Sequence, residues 1–138
     1  MAGENRLKTV LGPLLRQLRI DESQLEQSES YVMETQEITL QWEESPRDYL
    51  TVSCLLPMRE SDFKDAATLN VLLQCNLLGL AHTPVLTATL PEQQSVLLWS
   101  RAPFMQLEAH QLLALFERFL AQAEKTKRFL QLPATENA

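Results

Sequence analysis

Between Asn5 and Leu18, the residues Leu7, Val10, Leu11, Leu14, Leu15 and Leu18 recur at intervals of three and four, the spacing of one helical face. Arg6, Lys8, Arg16 and Arg19 cover the rest of that helix. Pro13 interrupts the stripe, and because proline has no amide hydrogen for the helical ladder, a kink is expected there. Ile20 to Ser30 is polar and acidic and reads as a connection. The period then changes from that of a helix to two. Tyr31-Val32-Met33, Ile38 to Trp42 and Tyr49 to Leu56 predict three strands, the last two joined by a turn over Glu43-Glu44-Ser45-Pro46-Arg47-Asp48. Such short polar connections predict an antiparallel meander with one face on a core and one face available.

Pro57 ends that run, and Ser61 or Asp62 is in place to cap a helix whose periodic residues are Ala66, Leu69, Leu72, Leu73, Cys75 and Leu77, with Gly79 as its stop. After Asp65 this helix is almost without charge. More of its circumference must be hidden than one sheet covers, by a second layer or by a second subunit. Pro84 to Leu90 and Ser95 to Ser100 predict a hairpin across Pro91, and a long amphipathic helix follows Pro103. Its apolar face is Leu112, Leu113, Phe116, Phe119, Leu120 and Ala123, and Lys125, Lys127 and Arg128 suit the negative end of its dipole. Residues 133–138 read as a loose tail on a single domain spanning residues 1–138. Neither an internal repeat nor a low-complexity segment is visible.

Composition narrows the partners. The chain is 45% apolar and 22% charged, ordinary for a globular domain, and its 138 residues suffice for one core. Twelve Lys and Arg against eighteen Asp and Glu leave a net charge of -6, which repels phosphate backbones and anionic lipid. Nucleic acid and membrane insertion are therefore not expected. The first residues lack the pattern of a secretory signal, and no apolar run reaches the roughly 20 residues of a membrane span, so the expected location is the cytoplasm.

Candidate chemistry is sparse. Cys54 and Cys75 sit in separate apolar runs at no metal or redox spacing and read as small core hydrophobes. His82 and His110, the only histidines, have no Asp or Cys at ligand spacing. Ser95 and Ser100 lack the glycines of a nucleophile elbow, and Gly3, Gly12 and Gly79 are too scattered for a phosphate loop. No cofactor, metal or catalytic residue is expected, and Glu43-Glu44 reads as a solvated turn. Trp42 and Trp99 each lie in a predicted strand, where two readings stand: core tryptophan, or aromatic anchor for a partner on the free face. The stripe Leu7, Leu11, Leu14, Leu15 has the same two readings, core or groove wall.

The helix Leu69-Asn70-Val71-Leu72-Leu73-Gln74-Cys75-Asn76-Leu77-Leu78, the hairpin ending Val96-Leu97-Leu98-Trp99-Ser100-Arg101-Ala102-Pro103 and the helix from Leu107 to Arg128 together resemble the class I chaperones of bacterial type III secretion, the Tir-chaperone-like family. The resemblance extends to the order of elements over most of the chain and rests on pattern, size and acidity rather than on invariant residues. It implies an α+β fold, α-β-β-β-α-β-β-α with an antiparallel sheet flanked by helices, and a homodimer joined through the second helix, with Leu69, Leu72, Leu73 and Leu77 as interface candidates. It implies a bacterial protein without enzymatic activity that binds the N-terminal region of one or more effectors in extended form and keeps them soluble for export, with the secretion ATPase as a further partner. Leu7, Leu11, Leu14, Leu15, Val32, Leu40 and Trp42 are then the effector-groove candidates, with Pro13 a departure within that groove. A regulatory adaptor that sequesters a secretion component or a transcription activator fits the same features. A small enzyme with a site assembled from His82, Glu92 and Arg101 is the remaining alternative.

Overall fold

The computed structural model of the protein describes residues 6–21, 30–35, 37–78 and 84–132. Gly79, His82 and the expected tail from Pro133 lie outside the described residues. Among these residues three α-helices and five strands follow the predicted order: α1 (Arg6–Gln17), β1 (Ser30–Glu34), β2 (Thr39–Glu44), β3 (Tyr49–Pro57), α2 (Ala66–Leu78), β4 (Leu86–Leu90), β5 (Ser95–Pro103) and α3 (Ala109–Gln131). Pro13 lies inside α1, and the helix continues through it to Gln17.

The meander and the hairpin join into one antiparallel sheet of order β1-β2-β3-β5-β4. The ladder that unites them is β3 against β5, nine pairs from Tyr49 opposite Pro103 to Pro57 opposite Ser95. Strand alternation then sorts the side chains. Tyr31, Met33, Leu40, Trp42, Leu50, Val52, Cys54, Leu56, Val96, Leu98 and Ala102 are buried on one face. There all of them but Ala102 form a single cluster with Leu7, Leu11, Leu14 and Leu15 of α1, Leu72 of α2, and Leu112, Leu115, Phe116, Phe119 and Ala123 of α3. Trp42 packs on Phe116 with ring centroids 6.5 Å apart. Helix α1 touches α3 and β2, while α3 crosses β3.

Helix α2 is moored to the same side at the β4 edge. The Thr87 amide donates to Asn76 Oδ1 at 2.6 Å, and the Thr87 hydroxyl donates to the Leu72 carbonyl at 2.8 Å. Asn76 thus occupies outward-facing backbone of the edge strand that would otherwise be open to another chain. The cap of α2 differs from the expectation of Ser61 or Asp62. Asp65 accepts hydrogen bonds from the Thr68 hydroxyl, at 2.6 Å, and from the Ala67 and Thr68 amides, and these hold its carboxyl below the usual range. Asp62 belongs instead to a 3-10 turn, Glu60–Lys64, where Arg59 grips both its oxygens at 3.0 and 3.2 Å. Helix α3 starts at Ala109 rather than Leu107, because Glu108 and Gln111 form a capping box there.

Candidate protein-binding face

With the helices gathered on one side, the other face of the sheet is left uncovered by the described residues. Register sets its pattern. One cross-strand row is Val32, Gln41, Ser53, Trp99 and Leu86, and the next is Leu55, Leu97 and Ala88. Val32 is 50% exposed and Leu55 51%, and Leu86, Leu90, Leu97 and Trp99 are each partly exposed. Val32, Ser53, Leu55, Leu90 and Leu97 line a depression of about 370 Å³ on this face. An apolar surface of this kind, rimmed by Thr39, Gln41 and Gln93, is the kind that other proteins occupy.

The polar rim is organised around Arg101. Its guanidinium carbon lies 5.1 Å from the centre of the Trp99 ring, and its Nε donates to the Thr51 hydroxyl at 3.1 Å. That hydroxyl in turn donates to the Ser45 carbonyl, which turns its lone pair toward Arg101. Trp99 is therefore the tryptophan of the free face and Trp42 that of the core.

Of the seven groove candidates, only Val32 faces outward. Leu7, Leu11, Leu14, Leu15, Leu40 and Trp42 are buried in the core, because α3 lies over the stripe of α1 and the helical layer covers their face of the sheet. Leu55, Leu86 and Leu97 were not among the sequence-based candidates, Arg101 entered only in the enzyme alternative, and Trp99 takes the second of its two readings, on the free face rather than in the core. Their signal was nonetheless present: Cys54-Leu55-Leu56 and Val96-Leu97-Leu98-Trp99 are apolar on both strand faces, whereas a sheet with one face in water alternates.

The interface candidates of α2 divide in the same way. Leu72 is 2% exposed and Leu69 packs against the core, whereas Leu73 is 64% exposed and Val71, on the same helix, is exposed as well. Leu77 lies in the last turns of the helix.

The groups considered for catalysis are dispersed or occupied. Ser100 Oγ donates to the Pro84 carbonyl at 2.7 Å, and Ser95 Oγ to the Gln93 carbonyl at 2.9 Å. Burial pushes the Cys54 thiol up to about 12, and burial also raises Cys75. Glu92 sits in the turn before Ser95, and Arg101 lies roughly 20 Å further along β5, so these two do not meet as the assembled enzyme site requires. A second cleft, of about 820 Å³, opens where α3 begins. His110 lines it, 3.8 Å from Glu108, with no serine, threonine or cysteine among the lining residues. Among the described residues no group of His, Cys, Asp and Glu could hold a metal ion, and no helix is long and apolar enough to cross a membrane.

Solved structures share this architecture at low sequence identity. The chain is similar to a chain of the ExoT–SpcS complex from Pseudomonas aeruginosa, with 19% identity, 86% of this chain and 94% of that chain covered, and a TM-score of 0.67. It is also similar to a chain in the complex of the Yersinia pestis type III secretion chaperone SycH with a stable fragment of YscM2, with 14% identity, 87% and 98% coverage and a TM-score of 0.70. A chain of the HopA1–SchA chaperone–effector complex matches with 18% identity, 92% and 94% coverage and a TM-score of 0.65. No curated protein matches by sequence. The family model of the Tir chaperone proteins matches residues 9–127, nearly the whole folded region. The order of helices and strands, the single antiparallel sheet and this match agree: the chain belongs to the Tir chaperone protein (CesT) family.

Proposed function

We propose that the protein is a cytoplasmic type III secretion chaperone that binds the N-terminal region of one or more effectors in extended form and keeps them soluble and competent for export. The observation that carries this reading is the uncovered apolar sheet face of Val32, Leu55, Leu86, Leu97 and Trp99 in a chain of this family. Strand β1 stands at the end of the sheet, and among the described residues no strand pairs with its outer side. A cargo segment laid along β1 gains main-chain hydrogen bonds, each contributing about 1 kcal/mol net, and can then turn its apolar side chains onto the face. The sheet is a firm platform because Leu7, Leu11, Leu14, Leu15, Leu40 and Trp42 pack its other side.

Two copies join through the outward side of α2, with Leu73 and Val71 at the contact and Leu77 beside them in sequence, while Leu69 and Leu72 hold the helix to its own core. An isologous contact sets the same uncharged helix of each copy against the other. The mechanism is binding without covalent chemistry. Cargo held extended neither folds nor aggregates, and the ATPase of the export apparatus releases it.

The test is affinity purification of the tagged chain from its native bacterium, with limited proteolysis of whatever co-purifies. One stoichiometric secreted protein, protected over an N-terminal stretch, is the expected result. A transcription activator or secretion regulator in its place supports the adaptor reading, and the absence of any partner overturns both.

A further inference from the structure

The open face carries a charge that the described residues leave uncompensated. Among the described residues, no carboxylate lies within ion-pair distance of Arg101; its recorded contacts are the Thr51 hydroxyl and the Trp99 ring. The acid in the same cross-strand row, Glu43, is two strands away and accepts a hydrogen bond from Gln41 at 3.1 Å. In a chain with eighteen acidic residues and a net charge of -6, an exposed arginine with no acidic partner among the described residues stands apart. Three features fix it. Trp99 covers one face of the guanidinium, Thr51 takes its Nε–H, and the Ser45 carbonyl fixes the orientation of Thr51. Among the described residues nothing bonds the pair of terminal nitrogens, whose planar fork matches a carboxylate in two parallel hydrogen bonds. The fork stands beside the apolar row of Val32, Trp99 and Leu86.

We propose that Arg101, stacked on Trp99 and held by Thr51, is a specificity anchor for an aspartate or glutamate carboxylate in the bound cargo segment, next to the apolar residues that segment places on the sheet. This rests on the chaperone reading above and adds the chemistry of one cargo position to it. Because the guanidinium is already stacked and oriented, little side-chain freedom is lost when the carboxylate arrives. An aliphatic side chain at that cargo position would leave the guanidinium covered and unpaired, so the site selects against it.

The test uses the full chain and the protected N-terminal segment of the protein that co-purifies with it, labelled for fluorescence anisotropy. Arg101→Gln should weaken binding about ten- to a hundredfold, and Arg101→Lys, which keeps the charge and loses the fork, should fall between. One acidic residue of the segment, changed to its amide, should reproduce that loss without adding to it in the Arg101→Gln background. The affinity of the wild type should also fall more steeply with salt than that of Arg101→Gln, which a purely structural role for Arg101 would not produce. Unchanged affinity and salt dependence of a folded Arg101→Gln overturn the anchor while leaving the chaperone reading intact. Failure of the wild-type chain to bind the segment overturns both.

Discussion

Leu72 and Leu73 are neighbours in sequence and opposites in structure, which makes them a sharp pair for testing how two copies associate. Leu72 is 2% exposed within the core, so Leu72→Ala removes packing and costs about 2–5 kcal/mol of a total stability of about 5–15 kcal/mol. Leu73 is 64% exposed, so its replacement costs the isolated chain little. Complete burial of a leucine contributes about 1.5–3 kcal/mol, and the two-thirds still open is therefore worth about 1–2 kcal/mol. A two-fold contact counts it twice, about 2–4 kcal/mol, or roughly thirty- to a thousandfold in the dimer dissociation constant. Leu73→Glu should therefore keep the circular dichroism and melting profile of a folded protein while light scattering across a concentration series shows monomer. Leu72→Glu, in contrast, should fail to fold rather than yield a clean monomer. A folded Leu73→Glu dimer with unchanged dissociation constant would refute the α2 interface.

Asn76→Ala should free the outward backbone of Thr87 and unmoor α2, lowering stability by about 1–3 kcal/mol in urea titration and favouring self-association through the β4 edge; retention of full stability would show that the amide contacts contribute nothing. With its thiol pushed up to about 12, Cys54 should resist thiol reagents at pH 8 in the folded state and react readily once denatured, and rapid labelling of the native protein at Cys54 would contradict its burial. The carboxyl of Asp65 is depressed below its ordinary value of 3.8, chiefly by the Thr68 hydroxyl, so its contribution is present above that pH and is lost as pH falls through the lower folded value. Asp65→Ala should accordingly lower the melting temperature at neutral pH, with the difference from wild type shrinking in strong acid; a constant difference would remove the charge from the cap.

Local periodicity carried most of the architecture. The α1 leucines, the alternation in Ile38 to Trp42 and the α3 stripe each placed an element correctly, because each reports which face of that element meets a core. What periodicity cannot report is which partner supplies that core. The α1 stripe reads the same whether α3 or a foreign peptide covers it, and only the packing of α1 on α3 and β2 shows that the chain itself does. The open face was hidden for a related reason. Leu55, Leu97, Trp99 and Arg101 come together only through the long-range β3–β5 ladder, which joins residues some fifty positions apart, as Thr51 and Arg101 illustrate. The two-sided apolar character of β3 and β5 was legible all the same, since a strand with one face in water alternates. On α2, the absence of charge was legible, but the split between Leu72 inside and Leu73 outside required the mooring of Asn76 to Thr87.

Amide hydrogen exchange of the chain, alone and with the N-terminal segment of its co-purified cargo, tests the central claim most directly. The account predicts new protection along β1, from Ser30 to Glu34, where the bound segment adds main-chain hydrogen bonds to the sheet edge, with side-chain footprinting lost at Val32, Leu55 and Trp99. Unchanged exchange along β1, with protection and footprint confined to the cleft around His110 at the start of α3, would contradict it.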